Sequence, residues 1–185
     1  GWRIVYPSDA FDYIGLFNSA MTSLDPVVLI EHQQLYAQKF PVPKGDLDYL
    51  ISFDKARVVA RGDQLTMIGY GSTVARCLTV REALAGEGVS AEVIDLRTVD
   101  LPGIDYATIG ESVKKTGMAM VVEEAPKSQS IGATIAAEIM TKFFDHLDGP
   151  VARVTSQDVP NPVSKVLEEA AIISVDEILA AASRL

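Results

Sequence analysis

A chain of 185 residues with 48% hydrophobic and 22% charged side chains can bury one good globular domain and part of a second. Its formal net charge of −9 excludes the basic face that non-specific nucleic-acid binding needs. The single cysteine, Cys77, rules out an internal disulfide framework and fits a reducing compartment.

Residues 3–6 (RIVY) predict a short strand stopped at Pro7, and the opening GWRIVYPSD reads as a chain entered mid-fold, with no signal-peptide pattern. Ser8 or Asp9 can cap a helix over 10–21, with Phe11, Ile14, Leu16, Phe17, Ala20 and Met21 forming a broad apolar stripe. Asp25-Pro26 ends it, and PVVLI at 26–30 reads as a buried strand. Residues 1–40 therefore contain a strand–helix–strand hook. Residues 41–56 hold Pro41, Pro43, Gly45, Asp46, Asp48 and Asp54 and read as a linker crossing a surface. ARVVA at 56–60 predicts another short strand.

The second unit, 57–185, is organised around 64–95. Leu65–Ile68 is an apolar run, Gly69-Tyr70-Gly71-Ser72 a sharp turn with Ser72 as candidate N-cap, and Val74, Cys77, Leu78 and Leu84 recur at helical spacing. Gly86-Glu87-Gly88 ends that helix, and 89–96 forms the next strand. Helix 105–115 with Ile109 and Val113 inward, strand 118–122, polar loop 123–130, helix 131–145, strand 151–155 and closing helices 163–170 and 174–183 follow. The alternation predicts an α/β fold, a mostly parallel open sheet with helices on both faces. No apolar run approaches the ~18 residues of a membrane-spanning helix.

Several groups invite chemistry. Gly69 and Gly71 at a strand-to-helix turn, Asp95 at the end of the next strand and Arg97 beyond it partly match a dinucleotide cradle. Val74 stands where a third small residue belongs, and any tight turn between strand and helix also favours glycine. Glu123-Glu124 leaves a strand at the edge where open sheets bind ligands. Adjacent residues there point opposite ways, so a shared proton is disfavoured and a solvated loop is the simpler reading. His32, His146 and Cys77 are too dispersed for a metal cluster, and Cys77 on an apolar helix face is a core residue. Asp145, Asp148 and Asp158 gather around the end of the long helix, either as a solvated rim or as a docking face for a basic partner.

Eight segments in order, YPSDAFDYIGLFNSAM, DPVVLIEHQQLY, IGYGSTVARCLTVREALAGEGVSAEVIDLRTV, ESVKKTG, VVEEAP, IGATIAAEIM, LDGPVARVTSQDVPNPVSKVLEE and ISVDEIL, resemble landmarks of one family. It is the beta subunit of the thiamine-diphosphate-dependent decarboxylating component of 2-oxoacid dehydrogenase complexes, and DVPNPVSKVLEE is most similar to the pyruvate type. The resemblance implies that 1–40 end a pyrimidine-binding domain, 41–56 are a linker, and 57–185 form a transketolase-type C-terminal domain. Glu31, His32 and Tyr36 match the family's E-x-x-x-L-Y turn. The glutamate that activates the cofactor is expected upstream, so no catalytic, cofactor or metal residue is assigned to this chain, and no thiamine diphosphate is expected on it alone. Its implied share is assembly with the alpha subunit, a second beta subunit and the lipoyl-bearing acyltransferase core. Asp145, Asp148 and Leu185 are the docking candidates, with neither membrane nor nucleic acid as partner. The expected compartment is the bacterial cytoplasm, or the mitochondrial matrix in a eukaryote.

Overall fold

The computed structural model describes residues 1–185. Strand β1 (Arg3–Val5), helix α1 (Ala10–Thr22) and strand β2 (Val27–Leu29) form the first unit, with β1 and β2 paired in parallel. Asp9 starts α1, its Oδ1 accepting from the Asp12 N–H at 2.8 Å. After a 3₁₀ turn at Gln33–Ala37, residues 38–56 contain no helix or strand. The rest runs β3 (Arg57–Ala60), β4 (Leu65–Gly69), α2 (Ser72–Gly86), β5 (Ala91–Asp95), α3 (Tyr106–Thr116), β6 (Ala119–Pro126), α4 (Ile131–Phe143), β7 (Ala152–Ser156), α5 (Lys165–Ala171) and α6 (Val175–Ala182).

Strands β3–β7 make one sheet in the order β3-β5-β4-β6-β7. β5, β4, β6 and β7 run parallel, and β3 closes one edge antiparallel to β5. A parallel strand is covered on both faces, so β4 is buried throughout and its side chains alternate between two cores. Leu65 and Met67 face α2 and α6, packing with Cys77, Val80, Leu84 and Ile178. Ile68 faces α3 and α4, packing with Ile109, Val113, Ile135 and Ile139. Thr66, the polar residue in this central strand, is satisfied by Ser112 and Thr116 of α3, each 2.7 Å away.

The helix ends follow local chemistry. Gly117 closes α3 in the left-handed region at φ 70°, and its N–H reaches the Val113 carbonyl. Ser174 and Glu177 form a reciprocal capping box on α6. Ser72, read from sequence as the cap of α2, is its first helical residue instead; Gly71 occupies the cap position. The long helix gives way to a 3₁₀ turn at Phe144–His146, so Asp145 lies past its α-helical end.

The first unit departs from expectation in two ways. β2 leaves Val28 37% exposed, because β1 is its only neighbouring strand. α1 buries only Asp12, Gly15 and Leu16, while Phe17 is 44% and Met21 72% exposed, so most of the expected apolar stripe faces outward. The segment 41–56 is also tied down. Asn18 Nδ2 donates to the carbonyls of Leu47 and Tyr49 at 2.6 and 3.0 Å, and Ser19 Oγ donates to the Ile51 carbonyl at 2.7 Å. Ile51 completes a small core with Val5 and Leu16.

With three buried members, that core has little redundancy. Leu16→Ala is expected to cost about 2–4 kcal/mol. The loss falls on the first unit, so native-state hydrogen exchange should show α1 amides losing protection while β4 and β6 keep theirs.

Candidate functional site

From β4 the chain passes to β5 on one side and later places β6 on the other. The switch between these directions leaves a crevice at the carboxyl ends of β4 and β6, where open α/β sheets hold ligands. Two helix N-termini converge there, α2 after β4 and α4 after β6. Each could meet an anion, since N–H groups and the helix dipole point outward.

The start of α2 is covered by the first unit. Gly71 sits at φ 54°, ψ −130°, and a Cβ there would collide with the Tyr6 ring. Glycine stands at 71 to admit that ring, which lies 5.5 Å from the Tyr70 ring, centroid to centroid. Burial pushes the Tyr6 hydroxyl up to about 12, with the Glu124 charge adding to it. Burial and the Glu123 charge push Tyr70 higher still, so both phenols stay protonated, and Tyr70 donates to Glu123.

The start of α4 is filled by the chain's own carboxylate. β6 extends to Pro126, so Glu123 is a fully buried strand residue and not part of a solvated loop. Its Oε2 accepts from the Gly132 N–H at 3.0 Å and the Tyr70 hydroxyl at 3.2 Å. Its Oε1 accepts from Ser130 Oγ at 2.6 Å and lies 3.4 Å from Arg153 Nη2. Gly132 has no side chain because the carboxylate occupies that space. Glu124 points the other way, as adjacent strand residues do. Its Oε1 pairs with Arg76 of α2 at 2.6 Å, and its Oε2 lies 2.7 Å from His32 Nε2. The two glutamates share no partner.

Asp95 and Arg97 also turn to the first unit rather than to a ribose. Ser8 Oγ donates to Asp95 Oδ2, and the Arg97 N–H donates to Oδ1 at 3.0 Å. Arg97, at φ 60°, sends Nη2 to Asp12 Oδ1 at 2.6 Å. Arg57 Nη2 reaches Asp9 at 2.7 Å and Asp12 at 3.1 Å. Backbone pairing reinforces the junction: Tyr6 N–H donates to the Arg97 carbonyl and Val99 N–H to the Ile4 carbonyl, at 2.8 and 2.9 Å. Gly69, Gly71, Asp95 and Arg97 are thus close together, but they seat protein and not a dinucleotide. A diphosphate does not fit either: Tyr6 covers one helix start and Glu123 fills the other. Cys77 is buried, and desolvation drives its thiol up to about 12, the state of a core residue rather than a nucleophile.

The acidic residues do not form one face. Asp158 follows β7 at its carboxyl end and accepts from Ser128 N and Oγ, both at 2.9 Å. Asp145 and Asp148 precede β7, at the opposite edge, where Asp148 N–H donates to the Gly117 carbonyl at 2.8 Å. α6 begins beside Ser156 at the carboxyl edge and runs back, carrying Leu185 toward the amino edge. Sequence reasoning missed Tyr6, Arg57, Asp12 and Arg153, each 30 or more residues from a partner it meets here. The one local signal was Gly132, a glycine in the first turn of an otherwise strong helix.

Gly71→Ala is expected to lose about 2 kcal/mol or more from its positive φ and the collision with Tyr6. Combined with Tyr6→Ala, the loss should fall short of the sum of the single variants, measured by urea unfolding.

A family model described as the transketolase C-terminal domain matches residues 54–178. The mitochondrial pyruvate dehydrogenase E1 component subunit beta of Dictyostelium discoideum is 41% identical over 187 residues, covering 100% of this chain and 52% of the relative. The pyruvate dehydrogenase E1 component subunit beta of Rhizobium meliloti (strain 1021) is 36% identical over 179 residues, covering 97% and 38%. The chain spans about half the length of the curated relatives it matches. A solved structure described as "Split gene transketolase, inactive beta4 tetramer" superposes with a TM-score of 0.77 at 22% identity, over 99% of this chain and 56% of that one, a likeness of fold. With the model covering most of the chain and a sheet of the same architecture, this protein belongs to the transketolase C-terminal domain family.

Proposed function

We propose that this chain is the carboxyl-terminal half of the beta subunit of a pyruvate-type 2-oxoacid dehydrogenase decarboxylating component. In this reading residues 1–40 close a pyrimidine-binding domain, 41–56 link it onward, and 57–185 form the C-terminal domain. The whole enzyme oxidatively decarboxylates a 2-oxoacid and acylates lipoyl groups. Thiamine diphosphate supplies the carbanion chemistry when bound, held by residues outside this chain. The present residues orient and assemble: they seat the alpha subunit, a second beta subunit and the acyltransferase core. The compartment favoured is the bacterial cytoplasm over the mitochondrial matrix.

The observation that carries this reading is the closed crevice. A ligand-binding module leaves its switch point open, whereas here Tyr6, Tyr70 and Glu123 occupy it. The exposed Phe17, Met21 and Leu24 of the first unit support an assembled role, since bare apolar surface of this kind marks contact with other protein. Titration of the chain alone with thiamine diphosphate or with NAD should give no binding heat; micromolar binding of either overturns the assignment.

Asp145, Asp148 and Leu185 are the proposed contacts for a basic module of the acyltransferase core. Asp145 and Asp148 are exposed at the amino edge of the sheet, and no cation pairs with either. Asp148→Lys is expected to weaken that binding several-fold at low salt and to flatten its salt dependence. An affinity unchanged across a salt series rejects the contact.

A further inference from the structure

The geometry points to Asp95 as a proton-operated latch that holds the first unit on the carboxyl edge of the sheet more tightly as pH falls. This goes beyond the assembly role and does not depend on it. Asp95 ends β5 and is fully buried. The charged and titratable groups around it come from four directions. Ser8, Asp9 and Asp12 approach from the first unit, Arg57 from β3, Arg97 from the segment after β5, and the Cys77 thiol from α2.

Three carboxylates thus share two guanidinium groups, and the sharing is unequal. Asp12 has both, Arg97 at 2.6 Å and Arg57 at 3.1 Å; Asp9 has Arg57 at 2.7 Å. Asp95 has only the Arg57 Nη2 already shared by the other two, at 3.7 Å, and otherwise faces a hydroxyl and a backbone N–H. The surplus negative charge is therefore least well supported on Asp95, which is where a proton settles. Burial first, then the Asp12 charge, raises this carboxyl to about 7. Once protonated, it can donate to Ser8 Oγ and keep the bridge between the two units.

The sign follows from linkage. The docked form holds a proton that the released, hydrated carboxyl gives up near its ordinary value of about 4. Docking is strongest at acid pH, weakens as pH climbs from about 4 toward 7, and levels off above. Glu124 and His32 bridge the far side of the same junction and lie outside this cluster; a His32→Gln background separates their contribution from that of Asp95.

Hydrogen exchange of α1 amides in the 185-residue chain, corrected for intrinsic rates, reads the opening constant between pH 5 and 8. It should rise about tenfold from pH 5 to 6 and flatten above 7, while β4 amides show no such trend. Asp95→Asn should abolish the slope, and Asp12→Asn should move it to lower pH. A flat wild-type profile, or a slope retained in Asp95→Asn, overturns the latch. If Asp95→Asn fails to fold, a carboxyl carbon NMR titration of wild type decides: a midpoint near 7 supports the latch, and one in the ordinary carboxylate range overturns it.

Discussion

A parallel sheet gathers the amino ends of its following helices along one edge, and the partial positive charge there must be met by something. In most open sheets a ligand does this. Here the chain answers its own field, and the rest of the arrangement follows. Glu123 sits on α4 with four donors around it, close enough to require glycine at 132. A carboxylate so completely supplied has no lone pair left for a substrate. Tyr6 covers the start of α2, and with it comes the whole first unit, because Tyr6, Ser8, Asp9 and Asp12 lie on one short stretch of chain. The edge that would bind a small molecule is instead an internal joint.

The joint is held by different chemistry at its two ends. Toward β3 it is a compact knot of aspartates and arginines around the fully buried Asp12, with Asp9 and Arg57 at its partly exposed rim. Toward β6 it is a smaller, mostly buried bridge, Glu124 between Arg76 and His32. Buried ion pairs of this kind add little net stability but penalise any misaligned docking heavily, since a displaced unit would strand a charge. Their contribution is therefore to orientation. The antiparallel pairing of residues 4–6 with 97–99 supplies the register.

Much of the layered fold was legible. The period of 3.6 over 72–86 and 131–143, the glycine stop at 86–88 and the apolar runs 65–68 and 119–122 each depend on neighbours in sequence. What was not legible depends on partners far away. Gly71 resembles a phosphate-loop glycine, yet its reason is a tyrosine ring 65 positions earlier. Glu123 looks like the start of a polar loop, because nothing adjacent reveals that Arg153, Ser130 and the α4 amino end converge on it. The stripe on α1 misled for a related reason: a 3.6 period says that a face will be covered, not that this chain covers it. The interval 41–56 reads as a linker crossing a surface; its hydrogen bonds to Asn18 and Ser19 were not legible because they come from a helix some thirty residues earlier.

β1 and β2 pair with each other, and β1 meets the second unit through the segment around Thr98. That segment is made about ninety residues after β1. At ~5–20 residues per second the ribosome needs several seconds to cover that interval. Closure of the joint is therefore a late event in synthesis, and slow translation across β4 and β5 would delay it further.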